Sequence, residues 1–170
     1  MIYLPTTVSF PFLIMANNLR IETSLGDIDL RLKPNAAPKT VDHIKKLVSD
    51  QLYDGCCFYR SDFVIQCGLQ RPNGTGVENP HSSLAVNETT LHEKISNKRG
   101  TVSVAHWDVP DCGNSEFFIN LQDNPHLDSA YGGYCVFAEV ANEESFGVVN
   151  VIKTAIPNGD KPLIKKISIC

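Results

Sequence analysis

Several features are scarce in this chain, and each scarcity excludes something. No run approaches the about 20 apolar residues that a membrane-spanning helix needs. There is no basic excess: 15 lysines and arginines stand against 19 aspartates and glutamates, a net charge of −4. Nothing in that balance favours general nucleic-acid binding or binding to anionic membranes. Six cysteines are present (Cys56, Cys57, Cys67, Cys112, Cys135 and Cys170), yet no Cys-x-x-Cys pair, which argues against a zinc ribbon or a thioredoxin-type site. A chain of 170 residues buries enough apolar surface to need no disulfide or metal staples, and its length favours one domain. The cysteines are therefore expected to be reduced and structural. No internal repeat, linker or low-complexity tract interrupts the chain.

The first fifteen residues are apolar (Ile2, Leu4, Val8, Phe10, Phe12, Leu13, Ile14) but hold no lysine or arginine, and Pro5 and Pro11 break the run. A secretory signal needs a basic start and an unbroken apolar stretch. Met15 reads as an alternative start. We expect an apolar extension over residues 1–16 without function, a weak targeting role being the rival, followed by one domain over residues 17–170.

Asn18 to Thr23 and Asp27 to Lys33 alternate apolar and polar residues around Ser24-Leu25-Gly26-Asp27, which predicts a β-hairpin with one buried face. Pro38 suits a first helical turn, and Val41, Ile44, Leu47 and Val48 fall at helical spacing up to Tyr53-Asp54-Gly55. Short strands are predicted at Cys57–Tyr59, Phe63–Cys67, Gly100–Ala105, Glu116–Leu121, Gly133–Val140 and Leu163–Ile169, and a second helix at Glu144–Lys153. Gln70 to Asn97 reads as one long loop, a length usually tied to function or disorder. About eight short strands with turn punctuation and two helices point to a barrel or sandwich.

Three stretches place few polar groups among aromatic and aliphatic ones: Phe58-Tyr59-Arg60-Ser61-Asp62-Phe63-Val64-Ile65-Gln66; Val104-Ala105-His106 with Asn114-Ser115-Glu116-Phe117-Phe118-Ile119; and His126-Leu127-Asp128 leading to Tyr134-Cys135-Val136-Phe137-Ala138. That composition suits a pocket for a proline ring and its flanking backbone. These stretches, in order with Ala37-Pro38-Lys39-Thr40-Val41, Asn73-Gly74-Thr75-Gly76 and Arg99-Gly100-Thr101-Val102-Ser103-Val104-Ala105, resemble the cyclophilin family from about Asn18 to Ile169.

The resemblance implies a mainly β fold, an eight-stranded antiparallel closed β-barrel capped by two α-helices. It implies a peptidyl-prolyl cis-trans isomerase that needs no metal or cofactor and assists protein folding. Arg60, Gln66 and Phe63 map to its catalytic positions. Val64, Ala105, His106, Glu116, Phe118, His126, Leu127 and Tyr134 map to its substrate-binding positions. The partners implied are proline-containing peptides and proteins, with neither nucleic acid nor membrane, and the expected setting is a cytoplasmic monomer. Phe117, adjacent to Phe118, should face the core instead. His43, His81 and His92 read as surface residues.

Departures from the family pattern set further expectations. Only Ser61-Asp62 separate Arg60 from Phe63, about two residues fewer than usual, which should shift Arg60 against Gln66. Glu116 replaces a Gln, so its anion should either pair with Arg60 or favour basic peptides. His126 replaces a Trp, which implies weak cyclosporin binding because the indole surface and its N–H are lost. Tyr134 resembles bacterial-type members, and His106 replaces an Asn. Two rival readings stand beside the isomerase: a catalytically weak or silent cyclophilin-like domain that binds proline-containing segments of a partner, and a thiol-dependent protein built on Cys56, Cys57 and Cys112.

Overall fold

A computed structural model of the protein describes residues 16–170, so the apolar extension lies outside the described residues but for its last position. Strands β1 (Asn18–Thr23) and β2 (Gly26–Leu32) form the first hairpin. Thr23 pairs with Gly26, so the turn is Ser24-Leu25 alone, tighter than the alternation implied. Gly26 adopts φ +129°, and a Cβ there would meet Val148 Cγ2 at 2.8 Å. Helix α1 (Pro38–Ser49) starts on its proline and buries Val41, Ile44, Leu47 and Val48. It ends at Ser49, short of Tyr53-Asp54-Gly55: the Tyr53 ring is instead sealed in the core and its hydroxyl donates to Ser115 O at 2.7 Å.

The remaining elements are β3 (Phe58–Ser61), β4 (Val64–Cys67), β5 (Thr101–Val104), β6 (Phe117–Asn120), β7 (Val136–Val140), α2 (Glu143–Ala155) and β8 (Ile164–Ile169). Asn142 caps α2 by accepting from Ser145 N at 2.8 Å, and Phe146, Val149 and Ile152 face inward as their spacing predicts. Short 3₁₀ turns at Pro110–Cys112, Pro125–Asp128, Ala130–Gly132 and Ile156–Asn158 leave no period in the sequence and went unread.

All eight strands form one antiparallel sheet in the order β3-β4-β6-β5-β7-β2-β1-β8. The expected closed barrel is nearly closed. Between β3 and β8 the seam is the single bridge Cys57↔Leu163, with Phe58 N donating to Pro162 O at 3.0 Å and Ile164 N to Cys56 O at 2.8 Å. Inward residues of every strand, among them Leu19, Ile21, Ile28, Leu30, Ile65, Val102, Phe117, Ile119, Phe137 and Ile164, fill the interior. Helix α1 packs on β8 and β7, and α2 on β2 and also on β3, β4 and β7.

The long segment from Gln70 to Asn97 is held by specific contacts. Helix α1 has no capping side chain of its own at Ala37, which leaves its first N–H groups orphaned. Glu88 reaches in from the long segment and takes them: its carboxylate accepts from Lys39 N at 3.1 Å, Thr40 N at 2.7 Å and Thr40 Oγ1 at 2.7 Å. An anion at a helix N-terminus is also favoured by the aligned peptide dipoles. Glu88→Ala should therefore lower stability by about 2–3 kcal/mol, the cost of a lost charge-assisted cap with buried donors left unpaired. Urea unfolding measures the loss, and faster amide exchange at Lys39 and Thr40 would localise it; unchanged exchange there would refute the capping role.

Candidate active site

Strand alternation decides which residues can meet outside the barrel. On β4, Ile65 and Cys67 point into the core, while Val64 and Gln66 point out. On β6 the split runs between neighbours: Phe117 belongs to the interior, while Phe118, paired with Gln66, joins an outer cluster. On β3, Phe58 is interior and opposes Cys67, so strict alternation would send Tyr59 out and turn Arg60 back in. The register instead skips a residue, since Phe58 opposes Cys67 but Arg60 opposes Gln66. This β-bulge makes Tyr59 the extra residue, and both Tyr59 and Arg60 face outward.

The outer cluster is an apolar patch separate from the core, made of Val64, Phe118 and Leu127 with Phe63, Ala105 and Tyr134 against them. It floors a cavity of about 590 Å³, whose walls add Tyr59, Arg60, Gln66, His106, Trp107, Cys112, Asn114 and Glu116. Tyr134 stands edge-on to Phe118 at 5.6 Å between ring centroids, and His106 lies flat on Tyr134 at 4.3 Å. The His106 ring is pinned, with Nδ1 2.6 Å from Trp107 O and Nε2 2.9 Å from Gly133 O.

A line of side chains crosses the polar edge of the cavity. Arg60 donates to Asp62 Oδ2 from Nε and Nη2, each at 2.8 Å, and from Nη1 to Gln66 Oε1 at 3.0 Å. Gln66 Nε2 then donates to the Tyr59 hydroxyl at 2.9 Å, and that hydroxyl donates to Glu116 Oε2. Burial, and next the Glu116 carboxylate, push the Tyr59 phenol above its ordinary value, so it stays a donor. The guanidinium also sits over the Phe63 ring at 5.4 Å. The short Arg60–Phe63 connection thus does not part Arg60 from Gln66. Nor does Glu116 pair with Arg60, which Asp62 occupies.

Beside the cavity, on the same outer face, a buried polar network holds the walls together. Asn97 Oδ1 accepts from Ser103 Oγ at 2.7 Å and Asn120 Nδ2 at 3.1 Å, and its Nδ2 donates to Asp128 Oδ1 at 2.9 Å and Tyr134 O at 3.1 Å. Asn124 Nδ2 reaches Asn120 Oδ1 at 2.8 Å and Phe63 O at 3.3 Å. These bonds tie β5, β6, the Phe63 turn and the Pro125–Asp128 turn that carries Leu127. Burial alone would raise the Asp128 carboxyl, but hydrogen bonds from Ser96 and Asn97 outweigh it and hold the group below its ordinary value.

Of the residues singled out in the sequence, Arg60, Gln66, Phe63, Val64, Ala105, His106, Glu116, Phe118, Leu127 and Tyr134 all line the one cavity. His126 does not. It is exposed and stands edge-on to Phe63 at 5.4 Å, one layer outside the wall, because the Pro125–Asp128 turn buries Leu127 and turns its neighbour away. Tyr59, Trp107 and Asn114 line the cavity without having been singled out, and Cys112, named only for the thiol-dependent reading, lines it too. Asn114 Oδ1 meets His43 Nε2 at 3.2 Å, so His43 is half-buried rather than a surface residue, and burial holds its imidazole below the ordinary value. The thiol-dependent reading fails for the adjacent pair: Cys56 and Cys57 are buried, and burial pushes Cys56 up to about 11, far from a reactive thiolate. All six cysteines are free.

The barrel's outer wall thus bears an apolar cavity edged by one fixed guanidinium, a permanent cation beside an apolar pocket. Residues 18–170 match the family model described as cyclophilin type peptidyl-prolyl cis-trans isomerase. The chain belongs to that family of isomerases. It is 36% identical over 149 residues to a peptidyl-prolyl cis-trans isomerase of Synechococcus elongatus, covering 86% of this chain and 93% of the relative. It is 35% identical over 135 residues to one of Helicobacter pylori, covering 78% of each. A cyclophilin type isomerase of Cryptosporidium parvum shares the fold with a TM-score of 0.71 at 24% identity, over 91% of this chain and 97% of that one. The same protein in the presence of the dipeptide ala-pro gives 0.70 at 24% identity, over 90% and 98%.

The Asp128 network carries a pH signature. A carboxyl held below its ordinary value of 3.8 adds stability that is present above about pH 4 and is lost as pH falls through the lower, folded value. Asp128→Asn should be less stable at neutral pH and show a shallower loss on acidification below about pH 4. Urea midpoints across a pH series test this; parallel curves for the two proteins would contradict it.

Proposed function

We propose that the outer cavity is where this chain turns prolyl peptide bonds, with Arg60 as the catalytic group. Rotation about the bond must break C–N resonance, a barrier of about 20 kcal/mol. Catalysis then requires groups that bind the twisted amide better than the planar one. As the nitrogen pyramidalises it regains a lone pair and accepts a hydrogen bond. Arg60 is suited to donate it: three of its five N–H groups are spent on Asp62 and Gln66, and two remain. The observation that carries the reading is this double anchorage beside the Val64–Phe118–Leu127 patch, which sets a permanent charge at the rim of a pocket of proline-ring character.

Phe63, Val64, Phe118 and Leu127 would wall the ring. Gln66, its amide fixed by Arg60 and Tyr59, would hold the substrate carbonyl or keep Arg60 aimed. Ala105 N already donates to Glu116 O at 2.8 Å, so a peptide lying there would use the Ala105 carbonyl and the His106 N–H. The dipeptide used with the Cryptosporidium parvum relative is of the size this pocket would take.

A protease-coupled assay on a short Ala-Pro peptide tests the proposal, because uncatalysed conversion takes tens of seconds. Wild type should accelerate it strongly, and a folded Arg60→Ala variant should lose roughly a hundredfold or more of that acceleration. Peptide binding without acceleration by the wild type would leave a silent proline-binding domain. Cyclosporin should bind weakly, with a Kd above about 1 µM, since the residue in place of the indole is a histidine that stands outside the cavity wall. A submicromolar Kd in a fluorescence titration would contradict this.

A further inference from the structure

We propose that the cavity selects peptides carrying lysine or arginine beside the proline, and that Glu116 is the residue that reads the charge. The inference rests on the isomerase site described above and adds its substrate class. Among the cavity-lining residues, Arg60 and Glu116 are the arginine and the glutamate, and no lysine or aspartate joins them. The two are not equivalent. Asp62 neutralises Arg60 through two contacts at 2.8 Å. Glu116 is bonded to Tyr59 and, at 3.4 Å, to Gln66, both uncharged, and no cation lies within ion-pair distance of it among the described residues. The wall therefore keeps one uncompensated anion beside its apolar floor.

The anion is also held in place. The carboxylate lies directly over Gly68, where even a Cβ would come within 1.6 Å of Oε1. Only glycine leaves that room, and the Tyr59 hydroxyl secures Oε2, so the group is kept on the cavity wall and away from Arg60. Burial is partial, so a ligand cation can reach it without the full penalty of a buried ion pair.

The rim repeats the preference. Trp107 lines the cavity with 84% of its surface exposed, an indole face free for a cation. Lysine and arginine have long apolar stems that can lie along the Phe118 and Ala105 side while the charged end reaches Glu116 or Trp107. Acidic side chains at the same place would be repelled.

The test compares X-Ala-Pro-Phe and Ala-X-Pro-Phe peptides, with X lysine, alanine or glutamate, by exchange NMR, which needs no auxiliary protease. At low salt, lysine should be favoured over glutamate by roughly five- to tenfold in kcat/KM, and the ratio should shrink as salt rises. Glu116→Gln should bring the ratio close to one whatever its overall rate, and Trp107→Leu should reduce it in part. Equal turnover of all peptides by the wild type overturns the proposal while leaving the isomerase reading intact. A preference that survives in Glu116→Gln overturns the role of Glu116. If no peptide is turned over by folded protein, the isomerase reading itself fails, and the dissociation constants of the same peptides then decide the charge preference.

Discussion

A β-strand has two faces, and three short strands here must find cover for both. On β1, β2 and β8, buried positions are interspersed with exposed or half-buried ones, as on an ordinary barrel wall with water outside. On β5 and β6, every residue is buried, and on β4 all but Gln66. The inner face is satisfied by the core. The outer face carries Val64, Gln66, Ser103, Phe118 and Asn120, a mixture that water alone would not bury. Its cover is the long segment before β5 and the 3₁₀ turns after β6, fastened by Asn97, Asn124 and Asp128. The cavity is the part of that outer face left uncovered. Site and scaffold are thus consequences of one demand, and the polar network holds the cover that leaves the cavity open.

The polar edge obeys a second constraint, that donors and acceptors must alternate. From Asp62 through Arg60, Gln66 and Tyr59 to Glu116, each group has one role open to it once its neighbour is fixed. Arg60 can only donate, so the Gln66 oxygen faces it and the Gln66 nitrogen faces Tyr59. The Tyr59 hydroxyl, accepting from Gln66, has its proton left for Glu116. Carboxylates at both ends bracket a single guanidinium, and the charge at the Arg60 end cancels while that at the Glu116 end does not.

Much of this could be read from the residues. Period two separated Phe117 from Phe118 and placed the hairpin; period 3.6 placed both helices; the ordered motifs led to Arg60, Gln66 and the apolar pocket. What escaped had physical reasons. A bulge at Tyr59 adds one residue without leaving a composition mark, so a reading by alternation cannot put Tyr59 and Arg60 on one face. Asp62 acts through local side-chain bonds to Arg60 and Val64 that strand alternation does not report, and Glu88 through contacts made from far along the chain. His126 was misplaced because a 3₁₀ turn rotates successive side chains by about a third of a circle, which motif order does not report. Tyr131, at φ 52° in the turn beside it, shows how irregular that region is.

The seam between Cys57 and Leu163 bears on how such a chain is made. Strand β8 pairs with β1, its flanking residues bridge to the approach of β3, and α1 leans on it. Early and late segments therefore depend on each other, and the loop between the bridged residues spans most of the domain. A ribosome releasing the chain from its N-terminal end would expose β1 to β7 with an open edge and no lid on that side of the core until Ile164–Ile169 emerged. During synthesis the nascent barrel would be a curled sheet with a free strand edge, the form in which a chaperone has most to hold and a neighbouring nascent chain most to pair with.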